Sequence, residues 1–385
     1  MSTPTILYVA HRSDYGDPAL GTGFEHHNFF DTLHRMGLPI LYFDIGELVR
    51  THGRAGMNRR LAEVVKAETP DLMFTVLYKD EFDFDTVRSI SESGDTVTFN
   101  WFCDDHWRFD NYSNQWAPCF HWVATTADSA VPKYAEMGYE NLIRAQWAAN
   151  PFTYRRPDPC PLEHDVTFVG RTYGERGKII QMLRNEGFNV QQWGPGSLNG
   201  KLEQDQMIRV FATSRINLGL SGSGAPPATV AQFTKVHTGR MLRKLGLRRA
   251  ASKAKRFITG PPKAHDPSAP SEFVEQIKGR DFEVPGAGGF HLTGRPQGLE
   301  RYLADRTDVA QYDSPADLLD KVRYYLDHED ERAAIADAGY RRVHAEHTYV
   351  HRFVDVFKAV GLNTPEASHY LASPEGSPGS VTNIT

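Results

Sequence analysis

Along the first 150 residues, short apolar runs alternate with longer stretches whose apolar positions recur every three or four residues. Residues 5–10 (TILYVA), 39–44 (PILYFD), 71–78 (DLMFTVLY), 96–102 (TVTFNWF), 121–125 (HWVAT) and 142–147 (LIRAQW) have the length and content of buried strands. Residues 24–37 (FEHHNFFDTLHRMG) carry helical spacing and end at a glycine suited to a helix C-cap, and residues near 54–68, near 81–92 and 130–137 are helical in pattern too. Strand, loop, helix, strand is a βαβ unit, which implies a parallel sheet with right-handed crossovers. Repeated through residues 1–150, it predicts a doubly wound α/β domain whose ligands bind beyond the carboxyl ends of the strands.

Residues 151–163 are rich in proline and read as a linker. The alternation then resumes in a second domain, residues 164–361. Residues 165–170 (DVTFVG) and 188–193 (FNVQQW) are strands around a helix at 178–187, and residues 208–220 give a helix and then a strand. A short strand at 290–293 follows. Helices are expected at 299–302, 317–326 (opened by Ser314 and Pro315), 330–338 and 340–357. The Ser-, Pro- and Gly-containing residues 362–385 read as a disordered tail.

A chain of 385 residues exceeds one ordinary core, in keeping with two domains. The net charge of −5 selects no partner class. Three cysteines, Cys103, Cys119 and Cys160, form no C-x-x-C pair and fit a reducing compartment. The first residues lack the basic start and apolar length of a signal peptide, and no run is long enough to span a bilayer. A cytoplasmic protein is expected, peripheral to a membrane or nucleic acid if residues 238–257 engage one. Those residues lie in a basic insertion, 222–270, within a stretch from Gln206 to His265 that has no acidic residue. They suit contact with an anionic lipid or a phosphate backbone, or form a solvated face beside an anionic substrate.

Candidate chemistry gathers in five segments. In the first domain, Gly21, Gly23, Glu25 and His26 follow the first strand, and Asp104, Asp105 and His106 follow the fourth. Adjacent carboxylates beside a histidine can orient a hydroxyl, act as a base, or cap the next segment. They are not spaced as Asp-x-Asp, so no metal is assigned. In the second domain, Gly170, Arg171, Arg176 and Lys178 open a helix after a strand, and Gly194 ends the next strand. Aligned N–H groups and cations there favour a diphosphate. No GxxxxGK[ST] is present, which removes the P-loop ATPase reading. Lys278 and Arg280 precede Glu283 and a run containing Gly288 and Gly289, a second anion-facing segment or a basic helix cap.

The run KGRDFEVPGAGGFHLT (278–293), followed by residues 312–352, resembles the C-terminal half of CgeB-like (spore maturation protein) group 1 glycosyltransferases. The resemblance covers most of the second domain and is looser over the first. It implies a GT-B fold, two Rossmann-like domains facing across a cleft, that takes a nucleotide-diphosphate-sugar as co-substrate without a resident cofactor or metal. Glu275 and Glu283 have the Glu-x7-Glu spacing of the retaining group, in which the second Glu and the loop at Gly288 hold the donor. Gly170, Arg171 and Arg176 resemble the element that grips the diphosphate, with Arg in place of Lys. The resemblance places the acceptor by Gly21–His26 and a catalytic-site histidine near Asp104–His106. The implied activity is sugar transfer to a glycan or glycolipid hydroxyl, with no stable protein partner. Two other readings stand beside it: a transferase acting on modified bases in DNA through the basic insertion, and a catalytically silent nucleotide-binding scaffold.

Overall fold

The structure is a computed structural model that describes residues 3–158, 160–172, 175–220 and 276–385; the basic insertion and Glu275 lie outside the described residues. Two sheets carry the fold. The first is seven-stranded, with β1 (Ile6–Ala10), β2 (Ile40–Asp44), β3 (Leu72–Thr75), β4 (Val97–Phe102), β5 (Trp122–Thr125), β6 (Leu142–Arg144) and β12 (Val381–Asn383) in the order β12-β2-β1-β3-β4-β5-β6. The second is five-stranded, with β7 (His164–Val169), β8 (Val190–Trp193), β9 (Ser214–Gly219), β10 (His291–Thr293) and β11 (Ala310–Gln311) in the order β11-β10-β9-β7-β8. Among the described residues every strand pairing in both sheets is parallel.

A parallel sheet is covered on both faces, so its inner strands are apolar throughout, and all five residues of β1 are buried. Successive side chains divide between two cores. Tyr8, Phe74, Phe99 and Trp101 pack on one face of the first sheet. Leu7, Val9, Phe43 and Met73 pack on the other. Helix Ile45–Glu68 starts where the Asp44 carboxylate accepts from the Gly46 N–H (3.0 Å) and kinks at Gly53, where φ is +67°. Helix Pro315–Asp327 starts where Ser314 Oγ accepts from the Asp317 N–H (3.1 Å).

Three expectations are corrected. One helix, Glu329–Glu346, runs through the glycine at 339 instead of stopping there. A Cβ on Gly339 would lie 2.2 Å from the Asp308 carbonyl oxygen, so that glycine serves close packing and not a break. Second, helix Tyr349–Ala359 returns to the first domain, where Tyr349, Phe353 and Phe357 join the core beneath β1, β3 and β4. Its apolar face has its partner only there. Third, the tail is ordered. Residues Ala367–Tyr370 form a helical turn, and β12 adds to β2 through Ile40 N–H to Ser380 O and Ile384 N–H to Tyr42 O, each 2.9 Å. Small residues let it lie flat: a Cβ on Gly379 would stand 2.2 Å from the Leu38 carbonyl. Composition signals solubility of the segment, but the open edge of β2 supplies its hydrogen bonds.

Phe353 is fully buried among Phe29, Phe74 and Trp101. Phe353→Ala should lower the unfolding free energy by about 3–5 kcal/mol, read from urea denaturation; a loss under about 1 kcal/mol contradicts this packing.

Burial also sets a pH response. His26, His347 and His351 are each pushed down to about 4, first by burial and then by a neighbouring guanidinium, Arg12 for His26 and Arg352 for the other two. The unfolded chain takes up these protons near pH 6.5 and the folded chain does not. Their stabilisation is therefore complete above about pH 6.5 and is lost as pH falls toward 4. Between pH 7 and 5, His347→Gln should lose about 2 kcal/mol less stability than the wild type. Equal losses in parallel denaturation curves would show that His347 titrates normally.

Candidate active site

In the first sheet, β1 is flanked by β2 on one side and β3 on the other, so the strand order reverses between β1 and β3. Ligands bind at the carboxyl side of such a switch point. A cleft of about 280 Å³ opens there. Strand ends contribute His11, Tyr78, Cys103 and Asp104; the loop after β1 contributes Asp14, Tyr15, Phe24 and Glu25; and the second domain contributes Lys278 and Gly279.

The loop after β1 is shaped by short-range contacts. Two 3-10 turns, Asp14–Gly16 and Pro18–Leu20, are followed by Gly21 at φ +75° and by a bridge from Ser13 to Thr22. A Cβ on Gly23 would sit 3.2 Å from the Asp14 nitrogen, so Gly21 and Gly23 act through loop shape. Tyr15 holds φ +51°, uncommon for a non-glycine residue, and its ring stands edge-on to Tyr78 with centroids 5.2 Å apart. Glu25 and Asp104 both face the cleft. Burial pushes the Glu25 carboxyl up, and the Asp14 and Asp104 carboxylates act in the same direction.

Its neighbours in sequence do other work. Asp105 is 2% exposed, and its oxygens accept from Ser113 Oγ (2.5 Å) and the Tyr134 hydroxyl (2.8 Å). It anchors the segment after β4 and is not among the cleft's lining side chains, a correction to its expected catalytic place. His106 lines a separate small polar niche with Asp128, Gln146 and Gln276. Burial and then Lys278 push it down to about 3, so it is neutral at physiological pH. His26 stacks on Phe30 (4.5 Å) with Nδ1 3.2 Å from the Tyr42 hydroxyl, which takes it away from the expected acceptor side.

The second domain meets this wall with the carboxyl ends of β7 and β8 and the segment before helix Arg280–Gly286. Arg171 brings its guanidinium 5.9 Å from the Tyr15 ring across the cleft. Arg176 instead turns inward, donating to the carbonyls of Leu220 (2.8 Å) and Arg171 (3.0 Å), and so ties the ends of β7 and β9 together. Lys178 pairs with Glu175 (2.7 Å) on an exposed helix face, remote from its expected donor role. Gly194 holds φ +126°, and a Cβ there would lie 2.3 Å from the Gly170 carbonyl, so the two backbones touch at the sheet edge. Gly288 and Gly289 allow close approach of Arg156 and of the Phe211 carbonyl. The Lys278 N–H donates to Asp281 (2.8 Å), whose other oxygen meets His291 Nε2 (3.0 Å) and the Thr293 hydroxyl (2.8 Å). This fixes the Lys278–Gly279 turn at the cleft. Glu283, expected at the donor, is 0% exposed and paired with Arg280.

Several cleft residues had not been singled out. His11 and Tyr78 were signalled by their place at strand ends. Arg108, from the segment after β4, donates to the Tyr78 carbonyl (2.5 Å) and lies 3.9 Å from the Tyr112 ring centroid, and Trp147 ends the apolar run that contains β6. Among the described residues no group of three or more His, Cys, Asp or Glu gathers to hold a metal, and no helix is long and apolar enough to cross a membrane.

With this geometry in hand, likeness to known proteins is informative. A family model described as glycosyl transferase-like matches residues 171–358, from the end of β7 into helix Tyr349–Ala359 and just under half of the chain. No curated protein matches the chain. Among solved structures, a glycosyltransferase from Rickettsia africae ESF-5 is 11% identical with a TM-score of 0.58, over 94% of this chain and 100% of that one. HepE of Anabaena, solved in complex with UDP-glucose, is 9% identical with a TM-score of 0.59, over 93% and 99%. A sucrose-phosphate synthase from Thermosynechococcus elongatus is 8% identical with a TM-score of 0.55, over 93% and 98%. At these identities the likeness is one of fold: two parallel-sheet α/β domains of the GT-B type. The family match over the second domain supplies the class, and the chain is an enzyme of the glycosyltransferase kind.

Proposed function

We propose that the protein moves a sugar from a nucleoside-diphosphate-sugar to a hydroxyl of a glycan or glycolipid, without a metal and with retention, as a CgeB-like enzyme. The observation that carries this reading is the opposition of charge across the cleft. Lys278 and Arg171 stand on the second-domain wall, and Glu25 and Asp104 stand on the first. A departing diphosphate needs cations, which Lys278 and Arg171 supply in place of a metal. An incoming hydroxyl needs a polar group to orient it at the anomeric carbon, a role for Glu25 or Asp104 in place of Asp105 and His106. The bond from the anomeric carbon to the diphosphate oxygen breaks, and the bond to the acceptor oxygen forms. With retention both events occur on one face, and the acceptor proton passes to the departing diphosphate oxygen.

The acceptor wall favours a neutral, hydroxyl-rich molecule. Tyr15 and Tyr78 offer rings for stacking and the carboxylates accept hydroxyl protons, while the Arg108 guanidinium is committed to the Tyr78 carbonyl and the Tyr112 ring. A phosphate-rich acceptor such as DNA would meet like charge there. A uridine nucleotide is the first donor to test, since HepE was solved with UDP-glucose.

In a thermal-shift panel of nucleoside diphosphates and their sugars, one present at about 100 times its dissociation constant should stabilise the fold by about 2.7 kcal/mol. No shift with any of them would contradict a nucleoside-diphosphate-sugar donor site in this cleft. Arg171→Ala and Lys278→Ala should each lower kcat/KM for transfer by about 10²–10³, as lost oxyanion donors do; wild-type rates in both would displace the diphosphate from this wall. Retention is checked by proton NMR of the product, where an inverted anomeric signal would exclude it.

A further inference from the structure

Glu283 is a buried carboxylate that the cleft chemistry leaves unused. Its Oε1 accepts from the Tyr154 hydroxyl (2.6 Å) and from Asn28 Nδ2 (3.4 Å), and its Oε2 is paired with the Arg280 guanidinium. The partners come from separate parts of the chain. Asn28 lies in the helical turn His26–Phe30 of the first domain, just after the cleft residues Phe24 and Glu25. Tyr154 lies in the connection between the sheets and also accepts from Gln204 Nε2 (2.9 Å) of the second domain. Arg280 packs over the Phe211 ring (5.4 Å) and reaches toward the carbonyl of Val169 (3.5 Å), the last residue of β7 before Gly170 and Arg171. Its side chain is still one-third exposed.

A carboxylate removed from water must have its oxygens satisfied, and losing one donor leaves it free to rotate or forces it to find another. Here one oxygen is held from the acceptor side and the connection, and the other holds a cation on the donor side. Asn28 is itself fixed: it is 1% exposed, and its Nδ2 also donates to the Phe24 carbonyl (3.2 Å). Contact is direct at the turn as well, because a Cβ on Gly279 would lie 3.2 Å from the Phe24 ring and 3.7 Å from the Glu283 carboxyl carbon. We infer that Glu283 is a positioning residue that couples the acceptor-side turn of the first domain to the aim of Arg280 at the donor side of the second. Displacement of the Phe24–Asn28 segment by an acceptor then alters how the donor is gripped. The link between the turns stands on the contacts alone; its consequence for donor binding rests on the sugar-transfer reading.

The test uses the full chain with Asn28→Ala and, separately, Tyr154→Phe, each of which removes one donor from Oε1 and leaves the Glu283–Arg280 pair. Amide hydrogen exchange over residues 276–289 should quicken about tenfold in both, as expected for a lost hydrogen bond to a charged group, with the first sheet unchanged. Unchanged exchange in that segment overturns the link, as does a uniform increase over both domains, which marks general destabilisation. In turnover assays both variants should raise the donor KM about tenfold with a smaller change in kcat. Asn28→Ala combined with Arg280→Lys should be non-additive, since the two side chains act through one carboxylate. Additive effects overturn the coupling. If exchange responds as expected while wild-type protein binds no nucleoside diphosphate, the coupling between domains stands and the sugar-transfer reading is the one that fails.

Discussion

Both sheets are wholly parallel, and that constraint governs the rest of the molecule. Parallel strands need helical crossovers on both faces, so the strand interiors are sealed and cannot host a reaction. Polar chemistry is left to the strand ends, and parallel order delivers all carboxyl ends to one edge of each sheet. Where those two edges face each other, β1, β3 and β4 present His11, Tyr78 and Asp104, and the second domain presents Arg171 and Lys278. The site is thus a product of topology before it is a product of any single side chain. The backbone contact of Gly170 with Gly194 belongs to the same edge: two strand ends lie too close for a side chain at the second position.

Around this edge, ionisable groups fall into two sets according to whether their hydrogen-bonding capacity is already used. Asp105 gives its oxygens to Ser113 and Tyr134, Arg176 gives donors to Leu220 and Arg171, and Glu283 is shared among Tyr154, Asn28 and Arg280. A buried charge left without such partners would cost several kcal/mol, so these groups hold structure. Glu25 and Asp104 keep faces toward the cleft, and Lys278 lines its other side while its Nζ donates to Gln276 Oε1 (2.8 Å). Glu25 and Asp104 stand on one wall, where Arg108 is held by the Tyr78 carbonyl and the Tyr112 ring, and Lys278 and Arg171 stand on the other, which suits a reaction that separates an anionic leaving group from a neutral nucleophile.

Among the described residues the chain passes between the domains twice. It leaves the first sheet after β6, and it returns through helix Tyr349–Ala359, whose aromatic face lies against the first core, before ending as β12. An isolated bridge between Ala149 and Thr348 sets the two crossings side by side. The network at Glu283 lies beside this pair of crossings through Tyr154.

Strands, βαβ order and the presence of two domains were legible in the sequence, because apolar runs, helical spacing and caps are local signals that neighbouring residues read out. The placing of Arg171 and Lys278 beside the cleft was legible for the same reason: each sits in a glycine-bearing loop at a strand or helix end. Fold alone decided between Asp104 and Asp105, which are adjacent in sequence yet face the cleft and the interior, since Tyr134, the partner that claims Asp105, is 29 positions away. Glu283 finds Asn28 at a separation of 255 residues, and the Ser-, Pro- and Gly-containing tail finds the open edge of β2. Local pattern determines which elements form. Which polar groups are spent on structure and which remain for chemistry depends on partners that only the folded chain brings within hydrogen-bonding distance.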